Sequence, residues 1–534
     1  MNVNSMRIPS KIAAAGLGLL LAFSCGPKPL VIRLEPGERV WAGKVAQGID
    51  LPAKDTLEID MHNNFGNQLT PLLLTSAGRY VWSDEPYTAT VSADRIVIRD
   101  NEAPVETGVV GGNLQEAYRF CMQKYFPPQG LPPREFFEVP QYNTWIEFQY
   151  NQNQAGILEY ARNIVRNGFK PGILMLDDTW MEDYGKWVFH PGRFPDPKAM
   201  CDELHALGFK IMLWIVPFVS LDQYQLCEEI HSVPGNGFIQ RPEGGGDYPF
   251  WWWNGISGCI DFSDPASIAW LEGKLDWLME EYGIDGFKFD AGDLDAWPDP
   301  AESVNKGGYS RQQLCYAWAS LCDKYKYNEL RACWKLGGKP YVQRLHDKGH
   351  HFGALQRLIP EMIITNLFGY WYAAPDMIGG GSFASFLPGS VINQDLIVRS
   401  AQVHALMPMM QFSVAPWRVL DAEHLEAVKK AVAIREELLP TIVGLMEKAA
   451  SDGEPVITPL EFRFPGQGYA DIIDQYMLGT DILVAPMVEE GSSRQVILPQ
   501  GRWKADDGTL YEGPVTVTVD VPLERIPRFA LIEP

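Results

Sequence analysis

The chain has 534 residues, of which 46% are hydrophobic and 12% are aromatic. This length exceeds that of one ordinary domain and the apolar content can bury several cores, so we expect two or three domains. The formal net charge of −22 would repel polyanions, and the chain has no basic run or zinc-finger spacing, so we exclude nucleic acid as a partner.

The first 25 residues are similar to an export signal. Arg7 and Lys11 precede the segment IAAAGLGLLLAF, which is too short to span a bilayer but suits the apolar region of a secretory signal. The small residues of LAFSC resemble a bacterial lipoprotein cleavage box that ends at Cys25. We therefore expect an exported, periplasmic or outer-membrane protein that touches the membrane only through a lipid on Cys25. An ordinary signal peptide is the alternative.

The other cysteines and the histidines do not predict a metal site. Seven cysteines follow Cys25 without a CxxC pair, which favours mostly buried thiols with one or two disulfides. The segment HDKGHH places His346, His350 and His351 close together, but this spacing without a set of acidic partners is weak evidence for a metal. We predict neither a metal nor an organic cofactor.

Residues 26–130 form the first predicted domain. The segments TLEIDMH and ADRIVIRD alternate apolar and polar residues with period two, which is typical of half-buried strands. We predict an N-terminal β-sandwich here. The proline-rich segment FPPQGLPPREFF follows and is a natural boundary.

Residues 131–438 alternate short apolar strands with amphipathic helices. GILMLDDTW, FKIMLWIVPFVS and IDGFKFDAGD are predicted strands, and SDPASIAWLEGKLDWLMEEYG is a predicted helix with Asp264 as its N-cap and Gly283 at its end. Repeated βα units over this length predict a (β/α)8 TIM barrel, whose active site lies at the carboxyl ends of its strands. A doubly wound open sheet is the alternative.

Residues 439–534 return to the period-two pattern. In PVTVTVDV, four valines from Val515 to Val521 fall on one face of a half-buried strand. We predict a C-terminal β domain. The fold class is therefore multidomain, α/β plus β, with a barrel flanked by two β domains.

The strand GFKFDAGD carries the clearest candidate for chemistry. Strand alternation directs Phe287 and Phe289 to one face, and Lys288 and Asp290 to the other face, which in a barrel opens on the mouth. A cation beside a carboxylate favours the ionised form of the carboxylate. Asp290 is therefore suited to be a nucleophile, and an internal salt bridge that only closes the barrel is the alternative.

Four further segments offer candidate sugar contacts. In LMLDDTW, paired carboxylates can accept hydrogen bonds from hydroxyl groups and an aromatic face can pack on sugar C–H groups, although a helix cap would explain one acid. The tract DYPFWWWNG and the strand FKIMLWIVPFVS supply further indoles, and AAPDMIGGG places an acid before three glycines, where a plain turn is the alternative. The candidate substrate-binding residues in these segments are Asp177, Asp178, Trp180, Trp214, Trp253 and Asp376.

Taken together, these residues resemble glycoside hydrolase family 31 from about residue 35 to the end of the chain. The family's nucleophile motif is similar to FDAGD, which implies that Asp290 is the nucleophile, with Asp293 in place of the usual glutamate. The aspartate upstream of Ile359 and Pro360 in RLHDKGHHFGALQRLIPEMI is similar to the family's general acid, so the resemblance implies that Asp347 is the general acid/base. The resemblance also implies substrate contacts for Arg331 in RACW, for Asp376 and for Asp177, beside Lys288.

One segment departs from the family's usual pattern. PMMQFSVAPW has Gln411 and Ser413 where many α-glucosidases of the family have an arginine and a histidine, and it is closer to a branch that includes bacterial α-galactosidases. The resemblance implies a retaining exo-α-glycosidase that acts by double displacement and slightly favours α-galactosides over α-glucosides, with Gln411 as a substrate contact. A non-catalytic glycan-binding protein on a degenerate barrel is the alternative.

Overall fold

The computed structural model describes residues 29–533. The predicted signal segment and the lipidation of Cys25 lie outside the described residues. Within residues 29–533, no helix is both long enough and apolar enough to cross a membrane.

The N-terminal region is β-rich, as predicted, and contains two sheets. The first is antiparallel, and its four strands are, in spatial order, Leu30–Arg33, Arg95–Arg99, Thr88–Ser92 and Leu57–Asp60. The second has four strands of this region: Val40–Lys44, Gln68–Thr75, Arg79–Ser83 and Val105–Val109. Its fifth strand is Cys333–Trp334, which comes from the barrel and pairs in parallel with Gln68 and Leu69. The two regions therefore share a sheet.

The predicted barrel is confirmed. Its eight strands, here β1 to β8, are all parallel and run in the spatial order 7-6-5-4-3-2-1-8. Between β7 and β8, the N–H of Ile378 donates to the carbonyl of Gln411 at 2.8 Å. The strands are Gln141–Asn143, Ile173–Leu176, Lys210–Ile215, Gly286–Phe289, Tyr327–Leu330, Val342–Arg344, Ala373–Ala374 and Gln411–Phe412.

The helices around the barrel follow the expected chemistry at their ends. In Pro265–Tyr282, the Asp264 side chain accepts the Ala266 N–H, and Gly283 ends the helix in the left-handed conformation. The other helices of eight residues or more are Leu114–Tyr125, Gln154–Arg166, Pro197–Ala206, Tyr224–His231, Arg311–Ala319, Phe352–Leu367, Gln394–Ala405 and Ala422–Asp452. Single turns are Glu135–Glu138, Trp145–Phe148, Pro416–Val419 and Leu460–Arg463.

A two-stranded hairpin and a three-stranded sheet extend from the barrel above its carboxyl edge. Met181–Asp183 pairs with Lys186–Phe189 after β2, and Phe218–Ser220, Gly255–Cys259 and Pro249–Trp252 form a three-stranded sheet after β3. The second of these carries the tryptophan tract. Phe250 and Trp252 pack on Phe218, whereas Trp251 and Trp253 are exposed.

The C-terminal sheet is antiparallel and six-stranded. Its strands, in spatial order, are Ile457–Thr458, Tyr476–Leu478, Ile482–Val484, Arg528–Glu533, Ser493–Ala505 and Leu510–Asp520. The predicted alternation in the last of these is confirmed, since alternate residues are more buried. The helix Ala422–Asp452 runs through residues 438 and 439, so the predicted boundary falls inside a helix and the sheet begins only at Ile457.

The prediction of one or two disulfides is wrong for the described residues. All seven cysteines from Cys121 to Cys333 are buried free thiols. They lie on separate core elements and pack there as small apolar side chains.

Candidate functional site

The carboxyl ends of the barrel strands surround a cavity of about 210 Å³. This volume lies below the range of roughly 300–1,000 Å³ typical of drug-sized ligands, so it suits a ligand of about one sugar ring. Eight of the residues proposed from the sequence line it: Asp177, Asp178, Trp214, Trp253, Lys288, Asp290, Arg331 and Asp347.

Asp290 follows β4 and is fixed by several hydrogen bonds. The indole N–H of Trp214 donates to its Oδ2 at 2.9 Å, Nε of Arg331 donates to its Oδ1 at 3.0 Å, and the N–H of Ala291 donates to Oδ1 at 2.8 Å. The chain then turns through Gly292 at φ 71°, where an added Cβ would lie 2.2 Å from Trp318. The glycine of FDAGD is required by this close approach.

The charges around Asp290 favour its ionised form. Burial by itself raises the pKa of Asp290, but the positive charges of Arg331, Lys288 and Arg344 outweigh this effect and hold the pKa well below the usual range. The carboxylate is therefore ionised at neutral pH, as a nucleophile must be.

Asp347 follows β6 and is held far less tightly. Its Oδ1 accepts one hydrogen bond, from Arg344 at 2.6 Å, and 33% of its side chain is exposed. Burial raises the pKa of Asp347, but Arg344 and, more weakly, His346 lower it, and the net pKa lies below its ordinary value. The negative charge of Asp290 acts in the opposite direction and raises the pKa of Asp347.

Lys288 and Asp177 form a buried ion pair beside the two acids. Nζ of Lys288 lies 2.5 Å from Oδ2 of Asp177, and their side chains are 3% and 4% exposed. The prediction that Lys288 and Asp290 share the inward face of β4 is confirmed. Phe287 and Phe289 point outward, where both rings contact Tyr325.

Asp178 occupies the same wall of the cavity with different partners. The hydroxyl of Tyr184 donates to its Oδ1 at 2.7 Å, and the indole N–H of Trp253 donates to its Oδ2 at 3.3 Å. Burial raises the pKa of Asp178 to about 7, with a contribution from neighbouring Asp177, while the two hydrogen bonds oppose the shift. Asp178 therefore titrates near neutral pH.

Arg331 connects Asp290 with the N-terminal region. Beyond its bond to Asp290, it makes two contacts to Asp293, at 3.0 and 3.1 Å, and donates to the carbonyl of Gly66 at 2.8 Å. The shorter acid at position 293 thus reaches the arginine with both oxygens. Two asparagines beside Gly66 also hold the barrel, because Asn64 accepts the Leu294 N–H at 3.2 Å and Asn67 accepts the His346 N–H at 2.9 Å.

Three residues proposed from the sequence do not line the cavity, and Trp180 and Asp376 are two of them. Trp180 is 0% exposed, packs on Phe189, and donates its indole N–H to the Trp214 carbonyl at 2.8 Å, so it cannot offer a face to a sugar. Asp376 is also 0% exposed, and its Oδ2 accepts the N–H groups of Lys348 and Gly381 at 2.7 and 2.9 Å. Neither Trp180 nor Asp376 can therefore contact a sugar in the cavity as predicted, and both instead support the residues and loops around it.

Gln411 is corrected in the same way. It lies in β8, is fully buried, and donates to Glu329 at 2.7 Å and to Gln141 at 3.2 Å. Ser413 is equally buried and accepts the N–H of Ile146 at 2.7 Å. Neither side chain reaches the cavity, so the contacts on which the expected preference for galactose depended are absent.

Five cavity residues were not foreseen from the sequence. Three aromatic rings, those of Trp145, Tyr150 and Phe383, pack edge to face with centroids 5.4 to 5.7 Å apart and close one side. Because they come from two loops far apart in the chain, no local pattern joins them. The other two are Arg344 and His346. Arg344 is the last residue of β6 and comes three residues before Asp347, so the predicted end of that strand could have identified it.

The histidines of HDKGHH are separated by the fold. His346 lines the cavity, Nδ1 of His350 lies 2.8 Å from the Gly379 carbonyl, and the ring of His351 accepts the Ala354 N–H at a helix start. Among residues 29–533, no three His, Cys, Asp or Glu side chains are grouped so as to hold a metal ion.

A (β/α)8 barrel with aspartates at the ends of β4 and β6 has the layout of a carbohydrate-active barrel protein, and sequence comparison identifies the family. The profile of the glycosyl hydrolase family 31 TIM-barrel domain matches residues 129–445, and that of the family's C-terminal domain matches residues 453–531. The chain belongs to glycosyl hydrolase family 31.

Curated relatives agree with this assignment, and a solved structure shares the fold. The myogenesis-regulating glycosidase of Mus musculus is 31% identical over 78% of this chain and 59% of its own length. The human neutral alpha-glucosidase AB is 25% identical over 79% of this chain and 47% of its own length, so the chain spans about half the length of these relatives. The family 31 dextranase of Flavobacterium johnsoniae superposes with a TM-score of 0.79 at 18% identity, covering 95% of this chain and 67% of that chain.

Proposed function

We propose that this protein is a retaining α-glycosidase that removes one terminal α-linked sugar. The observation that carries the proposal is the pair of carboxylates, Asp290 and Asp347, which face one cavity of about 210 Å³ from the ends of β4 and β6. A wider groove of about 800 Å³ shares Asp347, Arg331 and Trp253 with this cavity and continues outward past Phe65. The cavity suits the terminal sugar, and the groove suits the group that leaves.

In the first step, an oxygen of ionised Asp290 bonds to the anomeric carbon while the bond from that carbon to the leaving oxygen breaks. Asp347, protonated at this stage, gives its proton to the leaving oxygen. In the second step, ionised Asp347 takes a proton from water, the water oxygen bonds to the anomeric carbon, and the ester to Asp290 breaks. Two inversions leave the anomeric configuration retained.

The other polar side chains of the cavity support binding of a neutral sugar. Asp177 and Asp178 have carboxylate oxygens at its wall, and the exposed ring of Trp253 borders both the cavity and the groove. The terminal sugar is the finer part of the proposal. Since Gln411 and Ser413 are buried away from the cavity, the preference for α-galactosides over α-glucosides now depends on the resemblance alone.

The test is product stereochemistry on a panel of nitrophenyl α-galactoside, α-glucoside and α-xyloside. We expect hydrolysis of at least one, with the α-anomer seen first by NMR, and loss of this activity in Asp290→Ala. Asp299→Asn is the matched control, because Asp299 is exposed on the loop after β4 and lines neither cavity nor groove.

A β-anomer as first product would contradict retention. Calorimetric binding of an intact glycan by a folded protein that hydrolyses none of the panel would favour the glycan-binding alternative, for which exposed Trp251 and Trp253 offer stacking surfaces.

A further inference from the structure

Arg344 stands among four carboxylates. It ends β6, is 2% exposed, and lies within 4 Å of acids from four different strand ends. From its guanidinium nitrogens to the nearest carboxylate oxygens, the distances are 2.6 Å to Asp347, 3.5 Å to Glu329, 3.5 Å to Asp376 and 3.7 Å to Asp290.

The other two cationic side chains of the cavity, Lys288 and Arg331, each have close carboxylate partners. Lys288 is paired with Asp177 at 2.5 Å, and Arg331 contacts Asp290 and Asp293 at 3.0 Å. Arg344, by contrast, has one short contact to a carboxylate, that to Asp347, and its Nε has no hydrogen-bond partner among the described residues. Its charge is therefore the one that Asp347 meets most directly.

We propose that Arg344 is a positioning residue that holds Asp347 in its ionised form, the form that acts as base when the glycosyl intermediate is hydrolysed. This inference rests on the proposed function, because it assigns a role within the same two-step reaction. It concerns how the reaction is divided between its steps, which the positions of the two acids alone do not determine.

The two steps place opposite demands on Asp347. It must be protonated to assist departure of the leaving group, and ionised to take a proton from water. When Asp290 becomes a neutral ester, its repulsion of Asp347 disappears, and the guanidinium that lay 3.7 Å from Asp290 and 2.6 Å from Asp347 then acts on Asp347 with less competition. Arg344 therefore favours the second step at the expense of the first.

All charged groups that face Asp347 enter the sign of its pH dependence. Positive charge comes from Arg344, then from His346 when it is protonated, and from Arg331, whereas neighbouring Lys348 is paired with Glu361 at 2.9 Å. Negative charge comes from Asp290, because burial and the charge of Asp347 raise the pKa of Asp376 to about 7 and leave it protonated where Asp347 titrates. His346 is neutral at neutral pH, since burial and Arg331 lower its pKa to about 4. Removal of Arg344 should therefore raise the pKa of Asp347.

The test compares Arg344→Gln with Arg344→Lys, using aryl α-glycosides with good and poor leaving groups. In Arg344→Gln, we expect the basic limb of the kcat/KM profile to move up by about one pH unit, which corresponds to about 1.4 kcal/mol. Below this raised pKa, where Asp347 of the variant stays protonated, we also expect hydrolysis of the intermediate to slow by up to about tenfold, so that a nitrophenol burst appears with the best leaving group. Arg344→Lys keeps the charge and should shift the limb by less.

A third variant, Asp376→Asn, is a control that keeps the arginine. Burial and the charge of Asp347 raise the pKa of Asp376 to about 7, so Asp376 is protonated where Asp347 titrates, and its replacement should leave the basic limb in place although it contacts Arg344. If Arg344→Gln fails to fold, the comparison of Arg344→Lys with this control decides the matter.

The proposal would be overturned if the Arg344 variants are active and the basic limbs of their kcat/KM profiles coincide with that of the unmodified protein within about 0.2 pH unit, while the rate falls equally for all leaving groups. That result would leave the proposed function intact. Failure of the proposed function is a different outcome, in which the unmodified protein hydrolyses no glycoside or releases the inverted anomer.

Discussion

The ends of β4 and β6 each deliver one aspartate to the cavity, and the surroundings of the two differ. Asp290 accepts hydrogen bonds from an indole, a guanidinium and its own loop, and its side chain is 11% exposed. Asp347 accepts one bond, from Arg344, and is 33% exposed. A nucleophile is ionised whenever it attacks, so a fixed set of donors suits it. A general acid/base has to gain and lose a proton, which a single partner and contact with solvent permit.

The largest expected effect separates the two acids directly. Asp290→Ala should lose at least about 10⁴-fold in kcat on every substrate, because no glycosyl intermediate can form. Asp347→Ala should lose about 10²- to 10⁴-fold on a disaccharide but much less in the first step with a nitrophenyl glycoside, which needs little protonation. Azide should restore turnover of this variant with retained configuration. Azide should rescue the Asp290 variant with inverted product, which would confirm Asp290 as the nucleophile. Rescue of neither variant would contradict both roles.

A smaller effect is expected when Arg331, which donates a hydrogen bond to the nucleophile, is replaced. Arg331→Gln should lower kcat/KM by about 10²-fold and move its acidic limb to higher pH, because Arg331 lowers the pKa of Asp290. Arg525→Gln is the matched control, since Arg525 is paired with two aspartates, Asp506 and Asp507, in the C-terminal sheet region and lines neither the cavity nor the groove. An unchanged acidic limb in Arg331→Gln would show that the other donors suffice.

A third prediction concerns stability and Asp178, whose pKa is raised to about 7 by burial. Between the ordinary pKa of about 4 and pH 7, the folded state holds a proton that the unfolded state has lost, so stability falls as pH rises. The free energy of unfolding of the unmodified protein relative to Asp178→Asn should therefore drop by about 2 kcal/mol from pH 5 to pH 8. Urea unfolding measures this difference, and an equal difference in the free energy of unfolding between the two proteins at pH 5 and pH 8 would contradict the prediction.

Tyr184→Phe provides the control for the same measurement. It keeps the Asp178 carboxyl but removes a hydrogen bond that favours the ionised form, so the pKa of Asp178 should rise and the loss of stability should extend to higher pH.

The smallest effects are expected in the N-terminal loop, which touches both halves of the site. Asn64 holds the loop after Asp290 through Leu294, and Asn67 holds the loop of Asp347 through His346. Replacement of either by alanine should cost about 1 kcal/mol, or roughly fivefold in kcat/KM. The loss in Asn67→Ala should be greater for poor leaving groups, whereas that in Asn64→Ala should be uniform. Asn63→Ala is the control, because among residues 29–533 the Asn63 side chain bonds only within the loop, where it accepts the Phe65 N–H.

Local pattern determined several features of this protein without any tertiary information. Period-two alternation and helix punctuation predicted the three regions, because burial of one face imposes a period that can be read along the chain. The same alternation placed Lys288 and Asp290 on the inward face of β4. The resemblance of FDAGD to a family motif supplied Asp290, and spacing supplied Asp347, and both line the cavity.

Tertiary structure alone decided which side chains reach that cavity. Trp180, Asp376 and Gln411 lie in or shortly after barrel strands, yet each turns into the packed interior and bonds to a neighbouring strand or loop. Arg344 gained four acidic neighbours that come from separate strand ends, and Gly66 reached Arg331 from another region of the chain. Contacts between residues this distant depend on how strands close and loops pack, and neither leaves a period in the sequence.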